Sequence, residues 1–120
     1  MASTEAWGGR SYKLGAFLYF CTYIQKEYTI VMRFTWHEGK RRDNLKRHGF
    51  DFVDARRVFD GPTFTFEDDR FRYGEERFVS LGMLEGVPVS IVHTETKDRI
   101  HIISFRKATR RETEILLKNL

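Results

Sequence analysis

From Thr63 onward, apolar and polar residues alternate with a period of two. Thr63–Phe66, Glu76–Leu81, Val87–Thr94 and Arg99–Arg106 each show it, the pattern of a β-strand with one face turned to a core. The links Gly82-Met83-Leu84-Glu85-Gly86 and Glu95-Thr96-Lys97-Asp98 are of hairpin length, so these strands are expected to pair antiparallel in chain order. Met32–Trp36 alternates in the same way and predicts an earlier short strand. The segment between follows helical spacing. Glu38–His48 holds Lys40, Arg41, Arg42, Lys46 and Arg47 around a single strong apolar residue, Leu45, so a helix there stays near the surface. Gly49 suits the position just after its end. Asp51 reads as an N-cap, and Phe52, Ala55, Val58 and Phe59 make one apolar face before Asp60-Gly61-Pro62 stops the turn. Thr109 and Glu112 form a capping box for a last helix through Leu120. The predicted order is β-α-α-β-β-β-β-α, an α+β domain with an antiparallel sheet and helices mainly on one face.

Residues 1–31 follow a different grammar. Leu14 to Ile24 is an aromatic, apolar run of about eleven residues, too short to span a bilayer and not followed by a small-residue cleavage pattern. The folded domain is therefore expected over 32–120. Residues 1–31 are expected to be an extension, disordered or ahead of the native start of translation. No membrane segment and a cytoplasmic location are the corresponding expectations. The loop from Glu67 to Gly74 is highly charged and expected to be mobile.

Composition narrows the chemistry. With 120 residues and 41% hydrophobic content, the chain can build one core without disulfides or metal. Its single cysteine, Cys21, excludes an internal disulfide and a multi-cysteine zinc site. The histidines (His37, His48, His93, His101) have no metal-ligand spacing. No Walker loop, dinucleotide fingerprint, nucleophile elbow or helix-turn-helix pattern occurs. Lys and Arg exceed Asp and Glu by 21 to 17, a net charge of +4, and Arg outnumbers Lys by fourteen to seven. That bias leans towards phosphate or carboxylate recognition, since guanidinium binds such groups in a fork.

Strand pairing then selects candidates. If the links are tight, Arg77 faces His93, Thr94 faces Arg99 and Glu76 faces Thr94. Arg77 and His93 would share one face, Glu76 and Arg99 the other. Arg106 continues the row of Ile100, Ile102 and Ser104. Each residue alone has a structural explanation: an Arg capping a sheet edge, a satisfied core histidine, a solvated charge run. An Arg and a His at one sheet end are together suited to holding a phosphate and moving a proton.

The ordered set Trp36-His37-Glu38-Gly39-Lys40, Asn44, Lys46-Arg47-His48-Gly49, Phe52, Ala55 and Val58-Phe59-Asp60-Gly61-Pro62 resembles the opening of BrnT-type toxins. Gly74-Glu75-Glu76-Arg77, Gly82, His93-Thr94, the run Arg99 to Ala108, and Glu112 continue the resemblance over about 32–120. The resemblance implies a RelE-like fold and an endoribonuclease toxin of a type II toxin–antitoxin pair. It also implies an RNA substrate, a ribbon-helix-helix antitoxin (BrnA-like), and a toxin dimer within the complex. Three positions depart from the family pattern. His37 stands where an acid is usual, Phe105 replaces a small residue, and the C-terminal tyrosine is absent.

RNA is cleaved without metal when its own 2′-OH attacks the adjacent phosphate, which needs a base, an acid and charge stabilisation. Arg77, Arg99 and Arg106 are the expected phosphate stabilisers. Glu76 or His93 is the expected base, and His93 or His48 the expected acid. Lys40, Lys46, Lys107 and Arg110 are expected to steer RNA. No metal and no cofactor is expected. The alternative is a non-catalytic basic module that docks an acidic partner or an antitoxin–operator complex.

Overall fold

The computed structural model describes residues 32–69 and 74–120, with the strands Ala6–Trp7 and Arg10–Lys13 ahead of them. The expected extension and its apolar run lie mostly outside the described residues, as do 70–73 of the charged loop. In chain order the elements are β1 (Ala6–Trp7), β2 (Arg10–Lys13), β3 (Arg33–Trp36), α1 (Glu38–His48), a 3₁₀ turn (Phe52–Asp54) running into α2 (Ala55–Phe59), β4 (Phe64–Glu67), β5 (Phe78–Leu84), β6 (Val87–Glu95), β7 (Arg99–Lys107) and α3 (Arg110–Lys118). The sheet order is β1-β2-β4-β5-β6-β7-β3.

The class is α+β, but the sheet is mixed, because β3 lies parallel to β7 with Arg33 beside Arg99 and Trp36 beside Ile102. The wholly antiparallel expectation fails for a topological reason. The chain leaves β3 through α1 and α2 and enters β4 at the far side of the four-stranded meander, reversed in direction. The reversals from β4 to β7 then return it beside β3, running the same way. Alternation reports which face a residue takes, not the direction of its neighbour.

Helices cover both faces. The 3₁₀ turn and α2 bury Phe52, Ala55, Val58 and Phe59 against Leu84, Val89, Ile91, Ile100, Ile102 and Phe105. Burying each such large side chain contributes about 1.5–3 kcal/mol. Helix α2 rests directly on the β5 backbone at Gly82, where a Cβ would lie 2.6 Å from Val58 Cγ1. The opposite face packs Phe64, Val79, Leu81 and Val92 under Leu116 of α3. Helix α3 thus lies across the sheet from the 3₁₀ turn and α2.

The registers also differ. Glu85 and Gly86 form a two-residue turn with φ of 50° and 81°, the left-handed pair that suits a tight hairpin. His93 therefore faces Phe78, and Arg77 falls one residue away, on the other face. Thr94 faces His101 rather than Arg99. In β7, Ser104 pairs Val92 while Ile102 pairs His93, so Ile103 is an extra, bulged residue. The bulge hands the inward row from Ile102 to Phe105 and turns Ser104 and Arg106 outward. Arg106 does not continue the row of Ile100 and Ile102.

Candidate functional site

Helix α3 covers only part of the outer face. Towards the other end that face carries Thr94, Arg99 and His101 in the β6–β7 ladder, with Arg33 and Thr35 beside the last two. Here three segments converge on one cavity of about 380 Å³, lined by His37, Lys40, Glu75, Arg77 and His101, with Ile102 and Ile103 completing it. The parallel placement of β3 is what gathers them. Trp36 lies beside Ile102, so the chain turns into α1 at the bulge and brings His37 and Lys40 over it. Glu75 and Arg77 arrive on the run into β5.

The side chains are held in place. His101 is half-buried, and its Nδ1 lies 2.8 Å from Thr35 Oγ1. Arg77 Nε donates to Glu75 Oε2 at 3.2 Å. His37 folds back over Gly39, where a Cβ would come within 3.1 Å of its ring, so a larger residue at 39 would push the imidazole away. His37 is the N-cap residue of α1 but its side chain caps nothing. The start of α1 is fixed by Arg41, which donates to Glu38 at 2.6 Å and to Asp51 at 3.0 Å. Hydrogen bonding from Arg41 holds the Glu38 carboxyl below its ordinary range.

The residues expected from sequence are dispersed. Of them, Arg77 and Lys40 line the cavity. Arg99 is exposed and shares the outer face with His101. Arg106 is on that face too, but grips Glu112 through two bonds of 2.9 and 3.0 Å. His93 is fully buried on the inner face, with Ser80 Oγ 2.7 Å from Nε2, Glu95 Oε1 3.5 Å from Nδ1 and the Phe59 ring edge-on at 5.2 Å. Glu76 is exposed before β5. Lys46 and His48 lie further along α1, about 9 and 12 Å from Lys40 along the axis at 1.5 Å per residue. Lys107 and Arg110 are exposed at the junction of β7 and α3. Sequence reasoning missed His101 and Glu75, and took His37 only as a departure from pattern. The signal for His101 was its place in the row of Arg99. The parallel β3 that makes it part of a site left no trace in the alternation.

Among the described residues, no three His, Cys, Asp or Glu side chains converge to hold a metal, and no helix is long and apolar enough to cross a membrane. The sequence model of the family described as "Ribonuclease toxin, BrnT, of type II toxin-antitoxin system" matches residues 36–112. The chain belongs to the BrnT family. No curated protein gives a significant match. The family match starts at Trp36 and ends at Glu112, so it spans every residue lining the cavity. Membership of this family of type II ribonuclease toxins implies an RNA target and an antitoxin partner.

Proposed function

We propose that this BrnT-family chain cleaves RNA in the cavity between α1, β7 and the run into β5, without a metal ion. The observation that carries the reading is the lining itself: Arg77 and Lys40 beside two imidazoles, with one carboxylate, Glu75, already bonded to Arg77. That donor set suits a phosphodiester anion better than it suits a divalent cation. Its volume falls in the range of small-ligand sites, enough for a nucleotide. Arg77 and Lys40 would grip the scissile phosphate and stabilise the charge that builds on it in the transition state. Arg99, on the same face, and Lys46, Lys107 and Arg110 would steer the polyanion. His48 would contact RNA rather than serve as the acid. The buried His93 would hold the sheet together instead of acting as base, and Arg106 would anchor α3. The RelE-like classification, a BrnA-like ribbon-helix-helix antitoxin, a toxin dimer in the complex and a cytoplasmic location complete the reading.

Purified protein should cleave RNA in the presence of EDTA, and Arg77→Ala should slow that cleavage about 100-fold, the usual cost of losing one transition-state donor. Cleavage abolished by chelation would overturn metal independence. Cleavage indifferent to Arg77→Ala would remove the cavity from the chemistry.

A further inference from the structure

The proposed site leaves the proton carriers unassigned. The residues first expected in that role do not reach the cavity: His93 lies under Phe59 on the opposite face of the sheet, and Glu76 and His48 are outside the lining. Two other imidazoles do reach it. His37 enters from the N-cap of α1 and His101 from the outer face of β7. Resting on the reading that this cavity is the ribonuclease site, we infer that His37 and His101 are its proton-transferring pair, with Thr35 as the residue that positions His101.

The chemistry requires two such groups. One imidazole accepts the proton of the 2′-hydroxyl as that oxygen forms a bond to phosphorus. The other gives a proton to the 5′-oxygen as the P–O5′ bond breaks. The products are a 2′,3′-cyclic phosphate and a 5′-hydroxyl, and water returns the two rings to their starting protonation states. No electron acceptor or further reactant is needed. Histidine suits both tasks because its ring can donate or accept a proton near neutral pH. The other charged groups lining the cavity are Lys40, Arg77 and Glu75, the last bonded to Arg77, and Arg33 and Arg99 share the outer face with His101. The cations suit the phosphate, and the imidazoles are the groups of the lining suited to carry protons.

Thr35 gives His101 a defined orientation. The two residues are cross-strand neighbours in the parallel β3–β7 ladder, and the 2.8 Å contact engages Nδ1. The ring thus has one nitrogen fixed by the fold and Nε2 left for chemistry, the usual division of labour in a catalytic histidine. His37 is placed differently, by the absence of a side chain at Gly39, over which it lies.

The test uses the full chain and an RNA oligonucleotide, with a second oligonucleotide whose scissile 5′-oxygen is replaced by sulfur. The thiolate leaves without a proton. His37→Gln and His101→Gln are each expected to lower cleavage of the normal substrate 100- to 10,000-fold, and each to remove one limb of a bell-shaped pH–rate profile. The sulfur substrate should restore the rate of only one of the two variants, which identifies the acid. Products should carry 2′,3′-cyclic ends. Thr35→Val should lower kcat with little effect on KM and displace the limb that His101→Gln removes, while Thr35→Ser retains both. Thermal melting of each variant shows that it is folded. If Arg77→Ala abolishes cleavage but both histidine variants keep the parent rate and profile, the pair is overturned and the cavity stands. If the sulfur substrate rescues both variants or neither, the pair is likewise overturned. If Arg77→Ala is also without effect, or the parent does not cleave RNA, the reading of the site falls and the pair with it.

Discussion

Strand β3 ends at Trp36, so past Ile102 the outer edge of β7 has no strand beside it among the described residues. Asn44 of α1 supplies what a strand would have given. Its side-chain nitrogen donates to the Phe105 carbonyl at 2.7 Å, and its oxygen accepts from the Phe105 amide at 3.1 Å. The same nitrogen reaches the Phe50 carbonyl at 3.1 Å. Phe105 itself is fully buried and stacks on Phe50 with ring centres 5.0 Å apart. Asn44→Ala would leave the buried amide and carbonyl of Phe105 without these partners, at about 1–3 kcal/mol for each stranded group. Urea unfolding should show a loss of about 2–6 kcal/mol. A loss below about 1 kcal/mol would mean that water replaces the side chain. Asn44 stood out in the sequence only as part of a family pattern. Its role depends on where β3 stops, and no local spacing reports that.

At the scale of elements, the signals with a purely local cause were legible. The capping box places α3, with Glu112 N donating to Thr109 Oγ1 and Thr109 N donating to Glu112 Oε1. Gly49 ends α1 at φ 79°, and Asp51 accepts from the Val53 amide to start the 3₁₀ turn. Registers and the bulge were not legible. A two-residue turn and a five-residue link are both compatible with Gly82 to Gly86, and a single slip moved Arg77 away from His93. Helix α3 also makes a prediction of its own. Glu112 is the capping-box carboxylate and the partner of Arg106 at once. Burial alone would raise its pKa, but hydrogen bonds from Arg106 and Thr109 outweigh that and hold it below the ordinary carboxylate range. A carboxyl with a depressed folded value adds stability above its unfolded value and loses it as pH falls through the folded one. Urea unfolding should therefore show stability declining as pH drops below about 4.3, the ordinary glutamate value. Glu112→Gln should be less stable at pH 7 and show a shallower decline. Parallel curves for parent and variant would mean that the Arg106–Glu112 pair does not act in that window.

For the whole molecule the question is whether a net charge of +4 acts as a diffuse field or through one site. Cations cover more than the cavity: Arg42, Lys46 and Arg47 are exposed along α1, and Lys118 sits in the last turn of α3. Formal charge in the sequence cannot separate these, because it says nothing of which cations converge. The fold does separate them, since Lys40 and Arg77 line the same cavity, while Lys118 is not part of the lining. Each cation that neutralises a phosphate of single-stranded RNA contributes about 0.7 to the slope of log affinity against log salt. Binding of a 2′-O-methyl RNA, which cannot be cleaved, should weaken linearly with log salt. Lys40→Ala should reduce that slope by about 0.7, and Lys118→Ala should leave it unchanged. Equal reductions from both would show that RNA samples the whole basic surface, and the cavity would lose its claim to be where the strand is held.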